Sequence, residues 1–164
     1  MRNKKIKNIQ YMKLLRLANT LNSTSAPYNQ FSLGFKKTIN QTYCSLFKND
    51  VQIENSIQGY HGDGSIFKMI KIIRKLIIKN NYDIVHIHSG VTGIIFLIAI
   101  FPFKISLSKK IVFTLHNSWN VIKLRNRLLN FIVMLTCSKI CICSKSSEEN
   151  IPKKINFFIK KKII

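Results

Sequence analysis

Two histidine-bearing segments hold the residue types best suited to chemistry. In Asp83-Ile-Val-His-Ile-His-Ser-Gly90, His86 and His88 stand two residues apart, so they share one face of an extended strand, with His88 nearer its open end. In Ile111-Val-Phe-Thr-Leu-His-Asn-Ser118, His116 follows directly on an apolar run of β type. A neutral imidazole in either place would hydrogen-bond a sugar hydroxyl or a phosphate oxygen, and its pKa permits acid–base work. Histidines at strand ends are also commonly packed and satisfied, and for His86, deeper in its strand, that is the expectation. No carboxylate or cysteine stands at a suitable spacing from these histidines, so no metal site is expected.

Other chemistries lose their support. The acidic residues are Asp50, Glu54, Asp63, Asp83, Glu148 and Glu149, and no two form an evident acid/base pair on facing elements. Neither a G-x-G-x-x-G fingerprint nor a G-x-x-x-x-G-K-[ST] loop is present, which disfavours nicotinamide and P-loop readings. Cys44, Cys137, Cys141 and Cys143 form no C-x-x-C pair, so a reducing cytoplasm fits better than a disulfide framework. Cys141 and Cys143 alternate with Ile140 and Ile142, as small apolar side chains on one face of a buried strand would.

The elements that must position these residues alternate in type. A chain of 164 residues with 46% hydrophobic content suits one domain with a sizeable core. Lys13–Leu17 reads as a first strand and 18–28 as a loop. A helix over 30–39 and strands over 42–47 and 51–57 follow, then a turn at Gly62-Asp63-Gly64. From Ile66 the apolar residues Ile66, Met69, Ile70, Ile73, Leu76 and Ile77 fall on one helical stripe ended by Asn80 and Asn81. Strands over 83–88, 111–115 and 139–143 alternate with helices over 92–101 and 122–135. Ser144 or Ser146 caps a short helix, and 155–159 reads as a last strand. Such alternation predicts an α/β fold, a parallel sheet flanked by helices, whose ligands bind beyond the carboxyl ends of its strands.

Lys and Arg number 27 against 6 Asp and Glu, a net charge of +21. An anionic partner follows: nucleic acid, a phospholipid surface or a phosphorylated substrate. The chain is also heavy in Ile and Asn, so compositional bias with cations on solvated faces accounts for the same excess. The apolar stretch 91–103 falls short of the roughly 20 residues that span a bilayer, and the start does not read as a signal peptide. Peripheral attachment to an anionic membrane is expected, through Lys68, Lys71, Arg74 and Lys75 or through Lys123, Arg125 and Arg127. No RNA-module signature is present, so nucleic acid is not the expected partner.

Taken in order, Asp83–Gly90, Val112–Ser118 and Ile140-Cys-Ile-Cys-Ser-Lys-Ser-Ser147 resemble consecutive strand-end motifs of GT-B glycosyltransferases, in the retaining group-1/family-4-like type that includes polysaccharide and glycolipid enzymes. The resemblance covers about 12–159 and implies a Rossmann-like, doubly wound parallel sheet, the N-terminal half of a GT-B fold. Residues 1–11 would be a basic extension and 160–164 a basic tail, with the donor-binding C-terminal domain absent. It implies that His116 is the active-site histidine and that His88, Ser89 and Gly90 line the cleft beside Asn117 and Ser144. Tyr28, Asn29 and Gln30 would meet the acceptor in a loop that lacks the family's paired glycines. The donor would be a nucleotide-sugar, with no cofactor bound by this chain alone, and the acceptor a sugar or lipid-linked glycan. Since the family's E-x7-E motif is missing, the expectation is an acceptor-side domain, inactive unless a separate donor-binding domain completes it. The alternatives are a truncated non-catalytic remnant or a basic membrane- or RNA-binding protein. The expected location is cytoplasmic, peripheral on the inner face of the plasma membrane.

Overall fold

The computed structural model describes residues 11–22, 39–48 and 57–164. Most of the helix predicted over 30–39 and of the strand predicted over 51–57 lies outside those residues, as do Tyr28, Asn29 and Gln30.

Among the described residues six strands form one parallel sheet: β1 Met12–Ala18, β2 Ile39–Ser45, β3 Gln58–His61, β4 Ile84–Ile87, β5 Ile111–Leu115 and β6 Lys139–Ile142. Their order is β3-β2-β1-β4-β5-β6, all neighbours parallel, so the sheet is wound outward in both directions from the β1–β4 pair. At that pair the connections reverse direction, and loops leaving the two strands diverge to open a crevice at their carboxyl ends.

Alternation along the strands decides which face takes the helices. Leu15 and Leu17, Val85 and Ile87, and Phe113 and Leu115 point one way and are essentially fully buried. Against them pack α1 Ile66–Lys79, α2 Gly90–Ile100 and α3 Leu124–Thr136 in one continuous core. In α1 the predicted stripe is the buried one, through Met69, Ile73, Leu76 and Ile77. Burial of each such side chain contributes about 1.5–3 kcal/mol. The opposite face carries Arg16, Tyr43, His86 and Thr114, with Ala18, Leu21 and Tyr43 in a second, smaller apolar cluster.

Serine hydroxyls start three helices. Ser65, Ser89 and Ser144 each accept a hydrogen bond from the backbone N–H three residues on, satisfying a donor the first turn leaves unpaired. Ser144, not Ser146, thus caps α4 Lys145–Glu149. The turn before α1 places Asp63 at φ 52° and Gly64 at φ 79°, where glycine is suited. Close passage of α2 across α3 depends on two more glycines. A Cβ at Gly90 would lie 2.7 Å from Asn130 N and 2.9 Å from Leu129 C, and one at Gly93 would lie 2.4 Å from a Val133 methyl.

Three expectations need correction. The segment read as a strand over 155–159 is helical, α5 Lys153–Ile159, with Pro152 at its N-cap and Ile159 buried against the main core. Strand β3 is Gln58–His61, with Ile57 just outside it. Cys143 is exposed and stands beyond the end of β6, while Cys141 is half-buried, so they are not a buried apolar pair. Residues 160–164 form a 3-10 turn over Lys160–Lys162, after which Ile163 bridges to Ile140 and Ile164 N–H donates to Ile140 O at 3.0 Å.

Candidate functional site

A cavity of about 270 Å³ opens at the carboxyl ends of β1, β4 and β5, at the crevice the strand order creates. Asn19 and Thr20 reach it from the loop after β1; His88, Ser89 and Gly90 from the junction of β4 with α2; His116 and Asn117 from the end of β5; Asn126 and Asn130 from α3. Five residues singled out from the sequence, His88, Ser89, Gly90, His116 and Asn117, are thereby brought together. Ser144 is not among the lining residues: its hydroxyl accepts from Ser147 N at 3.1 Å and donates to Ser147 Oγ at 2.9 Å, so it is committed to the cap. Gly90 has two tasks, lining the cavity and admitting α3.

The imidazoles are linked. His88 Nδ1 and His116 Nε2 are 3.0 Å apart, with the rings stacked at 5.3 Å between centroids. On its other side His116 Nδ1 lies 3.5 Å from the exposed Cys143 Sγ. If the thiol donates, His116 donates in turn to His88, whose proton then sits on Nε2; the reverse tautomers leave that atom a bare lone pair. In both cases His88 Nε2, buried, has no hydrogen-bond partner among the described residues. The weak thiol contact marks Nδ1 as the nitrogen of His116 that a ligand can most easily claim.

Burial, then neighbouring charges, fixes the protonation of the cluster. Desolvation lowers the pKa of His86 to about 3, assisted by Arg16 and His116, and its Nε2 pairs with Thr114 Oγ1 at 2.7 Å. His88 is pushed down further, first by burial and then by His86, His116 and Arg16. His116 is lowered by burial as well. All three are therefore neutral near pH 7, and the two that line the cavity, His88 and His116, can accept a hydrogen bond from a ligand hydroxyl or donate one to it without attracting a counter-ion. His86 is held inside the sheet as expected. Burial brings the Arg16 guanidinium down to about 10, an effect that Tyr43 partly opposes, and leaves it cationic.

Ser89 ties the loop to the helix: its hydroxyl donates to Asn19 Oδ1 at 2.7 Å and accepts from Thr92 N at 3.2 Å. Asn19, Asn126, Asn130 and Cys143 were not singled out from the sequence. The spacing of Asn126 and Asn130 by one helical turn on α3 is a readable signal for the second pair of carboxamides. Nothing local links Cys143 to His116, 27 residues earlier. Among the described residues no three His, Cys, Asp or Glu side chains come together to hold a metal ion.

Strand order, helix placement and the switch-point cavity define a Rossmann-like domain of the kind that forms the N-terminal half of a GT-B enzyme. Two solved structures share that fold. The UDP-GlcNAc 2-epimerase from Methanocaldococcus jannaschii superposes with a TM-score of 0.58 at 13% identity, over 93% of this chain and 45% of its own. A protein of Listeria monocytogenes provisionally assigned as a UDP-N-acetylglucosamine 2-epimerase gives 0.53 at 12%, over 86% and 41%. This chain thus spans less than half the length of either. No curated protein sequence matches it. Over residues 49–162 it matches Glycosyltransferase Family 4, and the chain belongs to that family.

Proposed function

We propose that this chain is the acceptor-side domain of a nucleotide-sugar-dependent glycosyltransferase of polysaccharide or glycolipid assembly, and that it does not transfer sugar alone. The cavity at the β1–β4 switch point carries this reading: among the described residues its lining has imidazoles, carboxamides and hydroxyls but no Lys, Arg, Asp or Glu. A ligand rich in hydroxyls finds both donors and acceptors there. His116 is the proposed catalytic residue, with His88, Ser89, Gly90 and Asn117 as acceptor contacts and Tyr28, Asn29 and Gln30 as further ones. The donor is held by a further domain, since transfer needs both reactants fixed in near-attack geometry and shielded from water. The acceptor is a sugar or a lipid-linked glycan, met in the cytoplasm at the inner face of the plasma membrane. In support, no helix among the described residues is long and apolar enough to cross a membrane, and the net charge is +21.

Transfer from radiolabelled nucleotide-sugars tests both claims. The purified 164 residues should give no turnover, and addition of a matching C-terminal half should create it. His116→Ala in the reconstituted pair should lower turnover about 100-fold with an unchanged circular-dichroism spectrum. Robust transfer by the chain alone overturns the second claim, and full activity of His116→Ala overturns the assignment of the site.

A further inference from the structure

The amino edge of the sheet, opposite the cavity, carries an exposed apolar surface. Where α2 ends, the chain turns through Phe101-Pro102-Phe103, and Phe101 and Phe103 are 62% and 81% exposed. Ile105 follows at 59%. The segment is built in rather than loose: Lys104 N–H donates to Ile100 O at 2.8 Å, Leu107 N–H to Lys104 O at 2.9 Å, and Arg74 Nε to Ala99 O at 3.2 Å. Beside it a largely apolar groove runs between Ile94, Leu97, Ile98, Phe101, Pro102 and Ile132, with Arg74 as its one charged lining residue among those described.

Charge around this surface is one-sided. Because helices return antiparallel to their strands, Lys79 at the end of α1, Lys104, Lys109 and Lys110 after α2, and Lys139 at the start of β6 all come to this edge. Among the described carboxylates only Asp83 lies there, and its Oδ2 accepts from Lys13 N at 2.8 Å. Asp63, Glu148 and Glu149 are at the carboxyl edge.

We propose that the Phe101–Ile105 segment is a membrane-inserting anchor that seats the amino edge of the sheet on an anionic bilayer. Exposed aromatics flanked by lysines match the two layers of such a surface: the rings enter the acyl boundary while the ammonium groups stay at the phosphates. Protruding rings beside an apolar groove fit hydrocarbon better than a nucleic-acid backbone, which offers charge but no apolar layer. The anchor differs from the basic faces of α1 and α3 expected from sequence, and shares with the first only Arg74, which lines the groove. On α3 Arg127 is already engaged, donating to Ile122 O at 2.7 Å and Asn120 O at 2.8 Å.

Sedimentation with phosphatidylcholine vesicles, with and without phosphatidylglycerol, tests the anchor without using glycosyl transfer, so its failure leaves the proposed reaction standing. Binding should require the anionic lipid and weaken with salt. The double variants Phe101→Ser/Phe103→Ser and Lys104→Glu/Lys109→Glu should each lower the partition coefficient about tenfold. All four side chains are exposed, and circular dichroism checks the fold. In a Phe103→Trp variant, lipids brominated on the acyl chain should quench the new fluorophore, whereas Trp119, buried at the carboxyl edge, should stay unquenched. Absent vesicle binding, binding indifferent to anionic lipid, or full partition of either double variant overturns the proposal. So does salt-sensitive binding of an oligouridine by a protein that ignores the vesicles.

Discussion

At the carboxyl edge of the sheet, α1, α2 and α4 begin under serine caps, and β4 and β5 end in stacked neutral imidazoles. At the amino edge α1, α2 and α3 end among lysines and exposed phenylalanines. Helices α1 and α2 contribute to both. The partial positive end of α2 faces the cavity, and the partial negative ends of α1, α2 and α3 face the lysines, so some of the positive charge there serves the helices themselves. Lys162 shows this directly, its ammonium reaching Met134 O at 3.2 Å and Leu135 O at 2.5 Å in the last turn of α3. Net charge alone therefore identifies no partner, and the proposed anchor rests instead on the conjunction of lysines with exposed rings.

Acid should strike the carboxyl edge first. His86 titrates near 3 in the folded protein and His88 lower still, against about 6.5 in the unfolded chain. Between those values the unfolded state binds more protons, so stability is complete above about pH 6.5 and falls below it by about 1.4 kcal/mol per pH unit for each histidine. Urea unfolding followed at stepwise lower pH should show this, and His86→Gln should remove much of the slope. A flat profile from pH 7 to about pH 4 would mean these imidazoles are not held neutral.

The helix crossing behind the cavity gives the next largest effect. Gly90→Ala sets a methyl against the backbone of Asn130 and Leu129, which can move only with all of α3, and should cost about 1–3 kcal/mol. Gly93→Ala meets only the Val133 side chain and should cost less. Equal losses on chemical denaturation would show that α2 and α3 separate easily.

The two ends of α2 sharpen the contrast. Ser89→Ala removes the N-cap and its tie to Asn19, at a cost of about 1 kcal/mol in thermal unfolding. Arg74→Met removes the guanidinium from Ala99 O and Ile98 O at the other end and should cost about half as much. A larger loss from Arg74→Met would place the helix's more important restraint at the amino edge.

Sequence made the edges legible in unequal measure. Strand β5 occupies the predicted 111–115, and α1 buries Met69, Ile73, Leu76 and Ile77 of the predicted stripe while Ile66 stays exposed, because each segment keeps one apolar period. Strand β3 escaped, since Gln-Gly-Tyr-His has no alternating apolar face and its residues are mostly exposed. Helix α5 was mistaken for a strand because Ile155-Asn-Phe-Phe-Ile159 is too short to reveal its period, and Pro152 was the overlooked start signal. At the site, His88, Ser89, Gly90 and His116 were readable because each adjoins a strand end. Cys143 and the carboxamides of Asn19 and Asn130 depend on segments meeting across the sheet, which no local pattern encodes.

The bridge from Ile163 to Ile140 bears on solubility. An outer strand with unpaired amides is a template on which a second copy can stack into aggregates. Here β6 is only four residues long, begins with an exposed lysine, and has Ile140 O already taken by Ile164 N–H. The far margin, β3, is equally short and carries Gly59. Among the described residues both margins of this apolar parallel sheet are thus poor templates for a strand of a second copy.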